Sequence, residues 1–278
     1  MFELFMDDFI LEAMRLRRNN DFAQLKKLLD HNQKSSLCHH HKAIAMLKAV
    51  CDYRLAPNDS NENYNIFVEN FEAALHLPAN LDVETQFLNV YIYCDYAEML
   101  ADIFEQYDKA TKKFSKGEAA FNKATDLYEQ LYRRDWRLQR YFTELYILIQ
   151  YAGSRMYMST TKSDTAKDYV QRALDMSKKT NSSQFLVQCY IMKAIYASRR
   201  RSIRNCQKAL DTARALADVM GSMEKFKTYF KMLDRVLEMN KKGKWEHRGE
   251  KLVAYSPEEI YNIYRQWQRD EIFAYGYG

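Results

Sequence analysis

Ser36 to Lys42 reads SLCHHHK and sets one thiol beside three imidazoles, Cys38, His39, His40 and His41, which are residue types that ligate zinc. Zinc requires donor atoms converging about 2 Å from the metal. Consecutive residues of a helix point about 100° apart, so three adjacent histidines cannot converge. Only Cys38 and His41, at i and i+3, share a face. The remaining histidines, His31, His76 and His247, do not neighbour a cysteine in sequence. A metal site would therefore need two more ligands from elsewhere in the fold. The competing reading is a helix start, with Ser35 or Ser36 as N-cap and the histidines filling the first turn. That reading is preferred, and no metal or other cofactor is expected.

Other reactive patterns are equally sparse. The chain contains no G-x-S-x-G, no G-x-x-x-x-G-K-[ST] and no G-x-G-x-x-G. Gly153-Ser154 lies inside a long apolar run that suits close packing. The paired carboxylates Asp7-Asp8 and Glu258-Glu259 fall at predicted helix starts, where they complement the helix dipole. No enzymatic activity is expected from these residues.

Arginine clusters offer a different chemistry. RLRR (Arg15, Arg17, Arg18), YRRDWRLQR (Arg133, Arg134, Arg137, Arg140) and SRRRSIR (Arg199, Arg200, Arg201, Arg204) all fall at predicted hairpin tips or helix ends. Cations at helix C-termini stabilise by roughly 0.3–1 kcal/mol each, which accounts for such placement without any ligand. Aligned on one edge, they would form a ridge able to hold acidic peptide, phosphate or nucleic acid through bidentate contacts. SRRRSIR is the densest of the three.

The elements that position these residues follow from composition and periodicity. Seven glycines and three prolines in 278 residues, against 21 tyrosines and 15 phenylalanines, leave too few turn residues for an all-β or βαβ fold. The 42 basic and 37 acidic residues give a net charge of +5. That is milder than a dedicated nucleic-acid binder usually carries. Five scattered cysteines, Cys38, Cys51, Cys94, Cys189 and Cys206, include no C-x-x-C pair and are odd in number, which points to a reducing, cytoplasmic compartment without excluding the nucleus. The N-terminal MFELFMDDFILEAM carries acids where a signal peptide carries bases, and no run is long enough to span a bilayer. A soluble protein without a membrane partner is expected.

Apolar residues at helical spacing predict about twelve helices. They run from Phe2 to Arg18, Phe22 to His31, Leu37 to Leu55, Tyr64 to Leu77, Val83 to Gln106 and Ala110 to Arg133. Further helices follow at Trp136 to Ser159, Ser163 to Lys179, Ser183 to Ser198, Ile203 to Val219, Met223 to Asn240 and Pro257 to Phe273. Short connections predict antiparallel hairpins. Four of the helices share a spacing of small and bulky residues: Phe67-x3-Phe71-x2-Ala74-Leu75, Gly117-x3-Phe121-x2-Ala124, Ala166-x3-Val170-x2-Ala173-Leu174 and Ser202-x3-Cys206-x2-Ala209-Leu210. Small residues there admit close approach of the partner helix.

This spacing resembles the second helix of tetratricopeptide repeats, A-x3-[FY]-x2-A-L. AALHLP at Ala73 to Pro78 resembles the end of such a repeat, and SRMYMSTTKSDTAKDYVQRALDM, with Ser154 and Tyr157 in the first helix, is the fullest match. The alanine landmarks recur at about 50, 49 and 36 residues where the family keeps about 34. The resemblance implies a right-handed, all-α solenoid of antiparallel hairpins over residues 1–240. It also implies a concave groove lined by first helices, which would place Tyr151 and Arg155 there, joined by Asn89 and Tyr93. Long-helix repeats of this kind are also similar to the peptide-binding halves of bacterial and phage quorum-sensing receptors, which implies a peptide-sensing regulator. No recognisable helix-turn-helix opens the chain to support that role.

Residues 241–255 read as a charged tether. In YSPEEIYNIYRQW, Ser256, Pro257 and Glu259 form a capping box, and Tyr255 and Ile260 form a hydrophobic staple. The helix that follows either closes the stack or reaches a partner or a second copy of the chain. The expected role is a non-enzymatic scaffold or adaptor that binds another protein or peptide. Arg199, Arg200, Arg201 and Arg204 are the candidate residues for an acidic or phosphate-bearing ligand, and nucleic acid is the less favoured alternative.

Overall fold

The structure is a computed structural model that describes residues 8–18, 21–31, 40–56, 63–79, 81–102, 106–131, 136–158, 163–179, 183–200 and 202–245. Among these residues the chain is all-α. The helices are α1 (Asp8–Arg18), α2 (Phe22–His31), α3 (His41–Arg54), α4 (Tyr64–His76), α5 (Asp82–Asp102), α6 (Tyr107–Leu131), α7 (Trp136–Met158), α8 (Ser163–Lys179), α9 (Ser183–Arg199), α10 (Ile203–Val219) and α11 (Met223–Trp245). The predicted bounds of α2, α8 and α10 are found unchanged. The predicted helix from Pro257 to Phe273 and its capping box lie outside the described residues, as do Cys38 and both candidate serine caps of α3.

Three predicted boundaries need correction. Helix α3 starts at His41, and His40 is its non-helical N-cap with φ −122° and ψ 30° and no capping bond from its side chain. His40 is buried instead, so of the two described histidines here only His41 lies in the first turn. Gln106 is not the end of α5 but the junction to α6. Its N–H donates to Leu100 O at 2.8 Å, and its carbonyl accepts from Ala110 N at 2.9 Å, which brings Tyr107 to Lys109 into α6. Helix α11 continues to Trp245, through the start of the predicted tether. Lys241 lies near its C-terminal end, where a cation complements the dipole.

Local chemistry explains where other helices begin and end. The Asp21 carboxylate accepts from Gln24 N–H at 3.2 Å and caps α2. The α10–α11 turn has Gly221 at φ 62°. There Ser222 N–H donates to Ala217 O at 2.8 Å and Gly221 N–H to Asp218 O at 2.9 Å, the two bonds of a Schellman motif.

The chain divides into two compact units between Ile149 and Gln150, inside α7. In the first unit, α1 to α6 pack each against the next, and α3 packs also on α1 and α5. Helix α5 is its hub. Phe87, Leu88, Val90, Tyr91, Ile92, Cys94, Tyr96, Ala97, Met99, Leu100 and Ala101 are all buried, so apolar residues surround almost its whole circumference, as expected of a core helix. Gly117 of α6 permits the closest approach, because a Cβ built there would lie 3.1 Å from Tyr93 Cβ and 3.8 Å from Val90 O. In the second unit, α8, α9, α10 and α11 pack in succession and α11 returns to α9. Their core includes Ala166, Val170, Ala173, Leu174, Val187, Ile191, Cys206, Ala209, Leu210, Phe230 and Leu233.

Candidate functional site

In SLCHHHK the two described residues other than His41 serve the fold. His40 is buried, with Nδ1 3.9 Å from Glu84 Oε1 of α5. Lys42 is 1% exposed, and its ammonium donates to Ala74 O at 3.0 Å, Leu75 O at 2.9 Å and Leu77 O at 2.9 Å. These carbonyls belong to the C-terminal end of α4, where intrahelical partners run out. Burial pushes the Lys42 amine down to about 8. Among the described residues, no three His, Cys, Asp or Glu side chains come close enough to hold a metal ion. Burial also raises the thiols of Cys51, Cys189 and Cys206 to about 12, and Cys94 well above its ordinary value, so these four are held protonated.

Within the RLRR cluster, Arg17 and Arg15 have different settings. Arg17 is buried and forks onto Asp95 of α5, while Arg15 pairs with Glu12 on its own helix at 2.5 Å. A buried guanidinium requires such a partner, which Asp95 supplies. The side chains of Arg18, Arg133, Arg134, Arg137 and Arg140 lie outside the described set.

Asn89 and Tyr93 stand one turn apart on α5, both half-buried. Asn89 Oδ1 is buried, with no hydrogen-bond partner among the described residues. Burial and the charge of Glu72 raise the Tyr93 hydroxyl. Nearby, Glu72 of α4 pairs with Lys113 of α6, whose ammonium lies 4.3 Å from the centre of the Tyr96 ring. Burial raises the Glu72 carboxyl, but Lys113 more than offsets it and the net shift is downward.

Tyr151 belongs to the second unit. It packs, partly buried, against that unit's core, and its carbonyl accepts from Ser154 Oγ at 2.7 Å. Arg155 and Arg199 are helical, with side chains outside the described set, and Arg201 lies wholly outside it. Arg200 is exposed, with Nη2 3.5 Å from Asp164 Oδ1, and the Tyr196 hydroxyl donates to the same carboxylate oxygen at 3.4 Å.

Arg204 has a different setting. It lines an open groove of about 920 Å³ together with Ile203, Gln207, Lys208, Asp211, Thr212, Ala215 and, from α11, Lys241. The α10 residues lie on one helix face because they recur at intervals of three and four. The opposite face buries Cys206, Ala209, Leu210, Ala213 and Ala217 in the core. Gln207 Nε2 donates to Asp211 Oδ1 at 2.9 Å, which engages the only carboxylate that lines the groove among the described residues. Arg204, Lys208 and Lys241 have no ion-pair partner among the described residues, whereas Arg214, on the same helix, pairs with Asp234. The groove is therefore cationic, with apolar surface from Ile203 and Ala215. Lys208 and Lys241 were not among the sequence candidates. The i, i+4 spacing of Arg204 and Lys208 was visible in the sequence, but the contribution of α11 was not.

No family, curated protein or solved structure matches this chain. Among the described residues, no helix is long and apolar enough to cross a membrane.

Proposed function

We propose that the chain is a non-enzymatic interaction protein, a scaffold or adaptor that holds a peptide or helical segment of a partner on the outer face of α10. The observation that carries this reading is the open groove in which Arg204, Lys208 and Lys241 have no ion-pair partner among the described residues, while Arg214 of the same helix pairs with Asp234. At about 920 Å³ it matches the larger ligand clefts of proteins. The resemblance of the Ala166 to Leu174 and Cys206 to Leu210 spacings to tetratricopeptide repeats, a peptide-binding family, supports a binding role in general; the α10 groove itself lies on a second helix, not on the first helices that line that family's concave face.

The test is photo-cross-linking. A benzophenone amino acid replacing Gln207 in the full chain, irradiated in an extract of the native host, should join a defined peptide of one protein to α10. The adduct should be lost when Lys208→Glu is added. No protein adduct, or one indifferent to Lys208→Glu, would refute the reading.

A further inference from the structure

Resting on that reading of the groove, we infer that its occupant is an acidic amphipathic helix, lying along α10 with carboxylates spaced four residues apart. Arg204 and Lys208 are i, i+4 neighbours, so their stems leave the helix about 6 Å apart. Carboxylates at i and i+4 on a second helix have the same separation, and two helices packed side by side bring such rows into register. Lys241 adds a third cation from α11, so the positive charge is not confined to one row.

The groove's length points the same way. Arg204 to Ala215 covers about three helical turns, roughly 16 Å, and a helix with its side chains is about 10–12 Å across. That space exceeds what a single inorganic anion fills. Ile203 and Ala215 supply apolar contact near either end of this length. A partner helix would therefore carry apolar residues flanking its acidic pair.

The probe is a fluorescein-labelled synthetic helix with glutamates at i and i+4 and flanking leucines, titrated into the full chain by anisotropy. The control is its isomer of identical composition, with the second glutamate moved to the opposite face. The first peptide should bind at least tenfold more tightly than the isomer. Its affinity should fall at least tenfold in Arg204→Glu/Lys208→Glu, with the thermal midpoint unchanged. Equal binding of the isomer would overturn the inference, as would tighter binding of a single-stranded oligonucleotide that displaces the peptide. If both peptides fail while the Gln207 cross-link still captures a protein, the acidic-helix inference falls and the interaction reading stands. If the cross-link also fails, both fall.

Discussion

Arg17 of α1 and Asp95 of α5 meet across 78 positions of sequence, with Nη2 2.6 Å from Oδ1 and 2.5 Å from Oδ2 and Nε 3.2 Å from Oδ2. The guanidinium also lies 4.9 Å from the centre of the Tyr91 ring. Burial lowers the Arg17 value, but the Asp95 carboxylate outweighs it, so the arginine stays charged. Breaking such a pair from one side strands a buried charge at a cost of about 3–5 kcal/mol, while removing both charges is often near neutral. Arg17→Met is expected to lower stability by that amount in urea denaturation, and Arg17→Met/Asp95→Leu to recover most of it. Additive losses in the double variant would show that the two residues act independently.

The closeness of α5 and α6 rests on Gly117. A methyl group there meets Tyr93 Cβ, an atom fixed to its backbone, so the neighbour cannot swing aside. Overpacking of this kind costs about 1–3 kcal/mol, partly offset by roughly 1 kcal/mol of helix propensity. Gly117→Ala should therefore lose about 1 kcal/mol and Gly117→Leu considerably more. Gly221→Ala should lose about 1–2 kcal/mol for a different reason, its left-handed φ, since nothing lies within 4 Å of the added carbon. Thermal melts of the three variants distinguish the causes.

Lys42 is buried against three carbonyls, and Lys42→Met should cost about 1–3 kcal/mol at neutral pH because those acceptors lose their donors. Its folded value near 8 lies below the ordinary 10.5, so between these pH values the native chain has released a proton that the unfolded chain retains. This group's contribution to stability therefore rises with pH across that window. Denaturation at pH 8 and pH 10 should show the advantage of wild type over Lys42→Met widening. A constant gap would contradict the assignment.

The thiols act in the opposite direction. Cys51, Cys189 and Cys206 lie near 12 when folded and 9 in the ordinary state, so their contribution is intact below pH 9 and is lost as pH rises toward 12. Cys206→Ala should flatten this decline. Iodoacetamide labelling mapped by mass spectrometry should modify these three positions only at the rate of unfolding; fast labelling under native conditions would contradict their burial.

The succession of helices was legible because helical periodicity dominates the chain. The boundary at His40 was not legible, because a serine cap competes there with a tertiary contact to Glu84 that no local pattern reveals. Arg17 illustrates the same limit. A basic run at a helix end reads as solvated until the facing helix places Asp95 against it. Within SRRRSIR, Arg200 and Arg204 read alike in sequence, yet Arg200 approaches Asp164 and Arg204 lines the groove. Only the return of α11 brings Lys241 to the same place, so the site emerged from packing, not from spacing.

The most direct measurement is titration of the partner fragment recovered by cross-linking against wild type, Lys208→Glu and Arg200→Glu in the full chain. Lys208→Glu is expected to weaken binding at least tenfold, with Arg200→Glu within about twofold of wild type, as for one charge inside the contact and one outside it. Unchanged affinity in Lys208→Glu, or equal losses in both variants, would contradict recognition through the outer face of α10.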